Sequence, residues 1–210
     1  MKRNLIVILI LGCLQIQSQA QVKGSMILGM DIYQWYKNPK TNELKGQGSS
    51  AGSSILCGPI GLRLAVGKEN FSFSLEGAAN IGLLAFDLGE FKGLGAVSFP
   101  LIGKINFDAL SGFSKNKFVG YSVGLGIQYN RTEWFGLTEK FKDLERKYFP
   151  TYIVDLAMGG GIGGFNASYY FRFGFGEKKS YSFNTGLLFN ISFNRQKTNL
   201  KDKTPQPQKS

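Results

Sequence analysis

The sequence predicts an all-β fold, an eight-stranded antiparallel up-and-down transmembrane β-barrel. Three observations carry this prediction: eight segments alternate large apolar residues with small or polar ones, the apolar faces are nearly free of charge, and the charges on the polar faces balance. A period of two is typical of β-strands, and roughly 9–11 tilted residues cross a bilayer. The eight segments run approximately over residues 24–36, 54–66, 70–86, 94–108, 117–131, 150–162, 164–176 and 180–194.

The first twenty residues have the pattern of a secretory signal peptide. Two basic residues precede an apolar run at 5–14, and a Ser-Gln-Ala sequence with small residues at the cleavage positions ends at Ala20. We therefore predict a signal peptide at 1–20. A second interpretation makes Cys13 a lipidated residue, but the bulky Leu11 stands where that motif usually has a small residue.

Residues 21–194 are predicted to form the barrel, and residues 195–210 a disordered, basic periplasmic tail. Loss of the signal peptide removes two of 25 basic residues and none of the 14 acidic ones, which leaves a net charge of +9. The tail has five bases, one acid and no apolar periodicity, so a solvated segment is favoured over a polyanion-binding arm. No motif that reads nucleic acid is present, and no nucleic-acid partner is predicted.

The direction in which the apolar face points separates a soluble barrel from a membrane barrel. The stretch SYSFNTGLLFNISFN at 180–194 places aromatic and aliphatic residues on one face and mostly Ser, Asn and Gly on the other. A soluble, lipocalin-like barrel would turn the aromatic face inward and leave a charge-poor surface with exposed glycines. A transmembrane barrel turns it toward lipid. The sequence favours the membrane barrel, with outer-membrane lipid as its surroundings.

Six charged residues fall within strands on the small, polar face, and they comprise three acids and three bases. They are Asp31, Arg63, Glu76, Lys104, Asp155 and Arg172. Pairing along the chain predicts three structural ion pairs: Asp31 with Arg63, Glu76 with Lys104, and Asp155 with Arg172. A lumen closed to water requires such neutrality, because an unpaired buried charge costs several kcal/mol.

An even number of strands places both termini on one side, which in bacterial outer-membrane barrels is the periplasm. The outer connections are then about 37–53, 87–93, 132–149 and 177–179, and the inner turns about 67–69, 109–116 and 163. Aromatic girdles are predicted from Tyr36, Tyr129, Tyr152, Phe175 and Tyr181 at the outer rim and from Phe71, Phe107, Phe165 and Phe193 at the inner rim.

Two outer loops, 37–53 and 132–149, are the predicted surfaces for an extracellular or envelope protein partner. Apolar residues of the second loop recur at spacings of four, three and four, which predicts a short amphipathic helix over the barrel mouth.

The signal ending SQAQ, the eight strands and the segment VSFPLIGKINF at 97–107 resemble the small outer-membrane β-barrel proteins of Bacteroidota, the group labelled PorT-like or outer membrane protein beta-barrel domain. The architecture is similar to OmpA and OmpX barrels. The last strand also looks like the signal read by the barrel-assembly machinery during biogenesis, through Asn184, Gly186, Phe189, Ile191 and Phe193. The resemblance implies an accessory role in secretion or envelope assembly.

The sequence offers little for catalysis. It has no histidine, which excludes His-dependent triads and His metal sites, and after signal removal Cys57 is the only cysteine. The glycines at 159–164 lack the Lys-Ser or Lys-Thr of a phosphate-binding loop. We predict no cofactor, no metal and no enzymatic activity, and a structural or interaction role in the envelope. The alternatives are a narrow small-solute channel and the soluble ligand-binding barrel.

Overall fold

Nine antiparallel strands make up almost all of the computed structural model, which describes residues 21–39, 49–52, 57–82, 97–114, 117–131, 148–162 and 164–193. The strands are β1 (Gln21–Lys37), β2 (Ser49–Gly52), β3 (Cys57–Lys68), β4 (Phe71–Gly82), β5 (Val97–Asp108), β6 (Gly120–Arg131), β7 (Phe149–Ile162), β8 (Phe165–Phe175) and β9 (Tyr181–Ser192). The predicted signal peptide, most of the 37–53 loop, the predicted helix of the 132–149 loop and the predicted basic tail lie outside the described residues.

Eight of the strands close into a barrel. Each long strand pairs with the next along the chain, and β1 also pairs with β9 from Ser25 opposite Ser192 to Lys37 opposite Tyr181. This closure confirms the predicted eight-stranded antiparallel barrel and leaves no long unpaired edge among the described strands. The short β2, which the sequence did not predict, pairs with residues 34–37 of β1 on the side of β3 and extends the wall there.

The two ends of the barrel differ. The terminal end is where β1 begins and β9 finishes, together with the β3–β4, β5–β6 and β7–β8 connections. The loop end is where β1 finishes and where β8 joins β9 through a short turn, Glu177–Lys179. Both ends of the described chain therefore lie at the same end of the barrel.

The barrel is apolar outside and polar inside. In the first half of β4 the apolar side chains are 38% to 55% exposed and the polar ones between them at most 6%; in order they are Phe71, Ser72, Phe73, Ser74, Leu75 and Glu76. Such a surface suits lipid and not water, so the chain forms a transmembrane barrel. Within the described residues, no helix is long and apolar enough to cross a membrane.

A β-bulge in β1 corrects one of the predicted girdle positions. The pairing with β9 shifts register between Asp31 and Tyr33, and an extra residue in one strand exchanges the two faces beyond it. Tyr36, predicted at the outer rim, is therefore fully buried inside, whereas Tyr33 and Trp35 point outward, each 37% exposed. The assumption of uninterrupted alternation therefore holds along β1 only up to this bulge.

The other girdle aromatics lie on the outside. At the loop end Tyr129, Tyr152 and Phe175 are 47%, 73% and 61% exposed. At the terminal end the Phe71 and Phe107 rings lie 5.5 Å apart, centre to centre, on neighbouring strands. Large amphipathic or aromatic side chains at both rims match the two interfaces of a bilayer.

We predict that Leu125→Arg destabilises the protein by about 2–4 kcal/mol in lipid, the cost of an arginine facing the middle of a bilayer. Leu125 lies at the centre of β6 and is 66% exposed. Reversible unfolding from lipid vesicles measures the effect. The control is Leu125→Ala, which removes apolar area without adding charge. Equal stability of the arginine and alanine variants would mean that this face meets water.

Candidate functional site

The lumen holds all six charged residues that the sequence places there. Their exposed fractions are 0% for Asp31, 5% for Arg63, 5% for Glu76, 4% for Lys104, 0% for Asp155 and 3% for Arg172. Each comes from the small, polar face of a strand, which the alternation turns inward. Charges buried this deeply must be compensated within the barrel.

Five of the six form one continuous chain of ion pairs across the lumen. Arg63 Nε lies 3.5 Å from Glu76 Oε1, and Lys104 Nζ lies 2.8 Å from Glu76 Oε2. The Lys104 ammonium also lies 2.7 Å from Asp155 Oδ1, and Arg172 Nε donates to Asp155 Oδ2 at 2.9 Å. Bases and acids alternate, so each carboxylate contacts two cations. The contact between Lys104 and Asp155 joins two ion pairs that were predicted to be separate.

Asp31 stands apart from this chain, which corrects the predicted pair with Arg63. The register of β1 and β3 places Arg63 opposite Ser25, six positions or about 20 Å along the strand from Asp31. The Asp31 carboxylate instead accepts hydrogen bonds from the Tyr170 hydroxyl and, at 2.9 Å, from Asn184 Nδ2. Neither donor was predicted to be a partner of Asp31.

Glycines on intervening strands let these side chains meet. Lys104 and Asp155 both pair with Gly124 of β6, one from each side, and a Cβ at Gly124 would lie 2.7 Å from the Lys104 side chain. Asp31 and Tyr170 flank Gly186 of β9 in the same way. A missing side chain therefore opens a passage between residues two strands apart. The small residues on the inner face permit the ionic network.

Uncharged polar side chains fill the lumen toward the loop end. The Tyr36 hydroxyl donates to Ser98 Oγ at 3.1 Å and accepts from Asn184 Nδ2 at 2.6 Å. Gln128 Nε2 donates to Asn130 Oδ1 at 2.6 Å and to Asn184 Oδ1 at 3.1 Å. All five residues are fully buried. Asn184 thus links these uncharged residues to Asp31.

A 3₁₀ turn, Ala109–Ser111, folds into the terminal end of the lumen, and all three of its residues are buried. Carbonyls of residues 109–112 accept hydrogen bonds from side chains of four strands: Asn166 Nδ2 to Ala109 at 3.3 Å, Arg63 Nη2 to Leu110 at 2.8 Å, Ser72 Oγ to Ser111 at 2.8 Å and Lys23 Nζ to Gly112 at 2.5 Å. The inner turn is therefore a plug, and Arg63 joins it to the ion-pair chain.

The part of the lumen that is lined by described residues leaves little room for a ligand. An interior cavity beside Glu76 and Arg172 has space for no more than about one water molecule. In the part of the chain that the structure describes, no group of three or more potential ligand side chains could hold a metal. What the arrangement does chemically is to neutralise charge and fix neighbouring strands to one another.

The predicted assembly-signal residues lie on the closing strand, β9. Asn184 and Gly186 face the lumen, and Phe189 faces out, its ring stacked 5.9 Å from that of Phe165. Ile191 is 39% exposed, and the Phe193 backbone N–H donates to Gly24 O at 3.0 Å just beyond the strand. The strand completes the barrel by pairing with β8 and β1, but recognition by an assembly machinery stays a prediction.

No family model matches the sequence, and no curated protein matches it. Among solved structures, Neisserial surface protein A is 8% identical with a TM-score of 0.49, covering 84% of this chain and 100% of that chain. The attachment invasion locus protein Ail of Yersinia pestis is 9% identical with a TM-score of 0.44, covering 81% and 99%. The outer membrane protein OprG of Pseudomonas aeruginosa is 11% identical with a TM-score of 0.38, covering 82% and 95%. The barrel architecture is established by the chain's own closure of β1 with β9.

We predict that Tyr36→Phe lowers the free energy of unfolding by about 1–3 kcal/mol, because it leaves buried hydrogen-bonding groups of Ser98 and Asn184 without this partner. Denaturant unfolding in detergent micelles measures the loss. Tyr129→Phe is the matched control, since Tyr129 points outward and is 47% exposed. Equal effects of the two substitutions would contradict the inward position of Tyr36.

We predict that Lys104→Met costs about 3–5 kcal/mol, because it removes the cation that Glu76 and Asp155 share and leaves the six buried charged residues with one uncompensated negative charge. The same unfolding assay applies. Lys68→Met is the control, since Lys68 is exposed at the end of β3 and its loss falls within about 0.5 kcal/mol. A loss no larger than that of the control would show that water reaches the lumen at Lys104.

Proposed function

We propose that this chain is a non-enzymatic outer-membrane barrel that serves as a structural or interaction protein of the envelope, with its termini in the periplasm and its loop end outside. The observation that carries the proposal is the unbroken ion-pair chain from Arg63 to Arg172, which fills the lumen with structural contacts. Because the interior is occupied in this way, only the rims and the lipid-facing surface of the barrel are left for interactions.

The inverted polarity of the barrel argues against the soluble, lipocalin-like alternative. A lipocalin-type barrel of eight strands holds one small ligand among inward-facing apolar side chains. Here the inward side chains are mostly polar and bonded to one another, and large apolar side chains such as Leu62 and Leu125 are more than 60% exposed.

The filled lumen argues equally against the narrow-channel alternative. Eight strands enclose a space just wide enough for side chains, and the plug at residues 109–112 occupies one mouth. A continuous aqueous path would need the ion-pair chain and the plug to separate together.

The finer role is proposed from the resemblance of the sequence to PorT-like barrels, which implies an accessory function in secretion or envelope assembly. On this proposal the 37–53 and 132–149 loops contact an extracellular or envelope protein. The described residues that flank these loops, Lys37, Arg131 and Phe149, lie at the loop end of the barrel, and loops held on a scaffold often carry function.

Two measurements test the proposal. In planar bilayers we expect no single-channel conductance, because the lumen is filled. Stable conductance steps would contradict a structural core.

In cells we expect a photoreactive phenylalanine at Tyr148, at the loop end, to crosslink to a discrete protein. The matched control is the same group at Phe118, an exposed position at the terminal end. Absence of any crosslink from position 148, or equal crosslinking from both ends, would contradict a partner at the loops.

A further inference from the structure

Six aromatic side chains form two neighbouring groups of three on the outer face of β8, β9 and β1 at the loop end. This rim cluster comprises Tyr33, Trp35, Phe173, Phe175, Tyr181 and Phe183. The ring centres of Trp35 and Tyr181 lie 5.0 Å apart, and those of Phe173 and Phe183 lie 5.1 Å apart. Tyr33 joins through Phe183 at 6.1 Å, and Phe175 joins through Tyr181 at 6.3 Å. Aromatic rings at such a rim lie at the level of the lipid headgroups.

The connection above this cluster is a tight turn with an unusual sequence. Ser180 N–H donates to Glu177 O at 2.9 Å, and the two residues between them are Lys178 and Lys179. Lys178 has φ 51° and ψ 39°, and Lys179 has φ 61°. Left-handed conformations at both central positions define a type I′ turn, which strongly prefers Asn-Gly because other residues are strained there.

The sequence therefore places two lysines where Asn-Gly would be more stable. Lys178 is exposed, so burial of its side chain does not offset the backbone cost. Strain that persists at an exposed position indicates a requirement for the side chains themselves. What these two residues have in common is positive charge.

The short turn also fixes the height of these charges relative to the membrane. Only residues 176–180 separate Phe175 from Tyr181, and both aromatics belong to the rim cluster. The two ammonium groups are thus tethered within a few residues of the headgroup level. Lys37, which pairs with Tyr181 across the β1–β9 ladder, adds a third base, and Glu177 is the only acid in the turn.

We propose that the Lys178–Lys179 turn and the rim cluster beneath it form a binding site for the phosphate headgroup of an anionic lipid. The lysines contact the phosphate, and the aromatic rings contact the lipid backbone and the upper part of the acyl chains. Under the proposed orientation the lipid belongs to the outer leaflet. The site is independent of any protein partner at the longer loops.

Trp35 supplies the readout for a test. The chain has two tryptophans, Trp35 and Trp134, so Trp134→Phe leaves Trp35 as the only fluorophore of its kind, 5.0 Å from Tyr181. The protein is reconstituted into vesicles that contain phosphatidylcholine and phosphatidylglycerol, with either lipid brominated near the headgroup. The ratio of the two quenching efficiencies gives the local enrichment of the anionic lipid. Both leaflets have the same composition, so the direction of insertion does not affect the result.

We expect Lys178→Asn/Lys179→Gly, in the Trp134→Phe background, to lower the enrichment by about fivefold for each lysine removed. The same variant should unfold at an equal or higher denaturant concentration, because Asn-Gly relieves the turn. A gain in stability combined with a loss of lipid is the result that a merely structural turn would not give. Unchanged enrichment in this variant would overturn the proposal. It is the result expected if the lysines bind an acidic protein and not a lipid.

Three further variants separate charge from turn geometry. Lys178→Arg/Lys179→Arg should keep the enrichment, and Glu177→Gln should raise it. Lys68→Gln/Lys117→Gln removes the same charge from exposed positions at the terminal end and should leave quenching of Trp35 unchanged. Loss of enrichment in the terminal-end variant as large as that at the turn would mean that overall charge attracts the lipid, and no site would be needed.

Discussion

The narrowness of a closed eight-stranded lumen is the constraint on which the rest of this structure depends. Side chains that point inward have no water to neutralise them, so each charge must reach a partner inside the barrel. Two glycines, Gly124 and Gly186, make those contacts geometrically feasible by leaving gaps between flanking strands. The interior therefore acts as a polar core that holds strands in register, in the way an apolar core does in a soluble protein.

Most polar groups of the lumen bond to one another. The groups that can contact other molecules therefore lie at the two rims of the barrel. The plug at residues 109–112 closes the terminal end through hydrogen bonds from four strands. The loop end carries the rim aromatics and a strained lysine turn. A barrel with a filled lumen suits a protein that presents a surface, because local changes in its loops leave the pairing of the membrane-spanning strands intact.

The elements that the sequence predicted well are those set by strict alternation. In β4, Phe-Ser-Phe-Ser-Leu-Glu indicates which side chains face lipid without any knowledge of the neighbouring strands. The prediction for Tyr36 was wrong because a bulge at Asp31 exchanges the two faces, and no residue pattern near Asp31 announces it. The Asp31–Arg63 pair was also wrong, because strand stagger places Arg63 opposite Ser25.

The sequence by itself determined the strand count, the inverted polarity and the neutrality of the lumen, since each follows from period-two patterning and from counting charges. Only the tertiary structure decided which charges meet. Asp155 contacts Lys104 across Gly124, Asp31 binds the Tyr170 hydroxyl across Gly186, and a turn of the chain plugs one mouth. Those contacts depend on register and on the curvature of a closed sheet, which join residues far apart in the chain and leave no local signature.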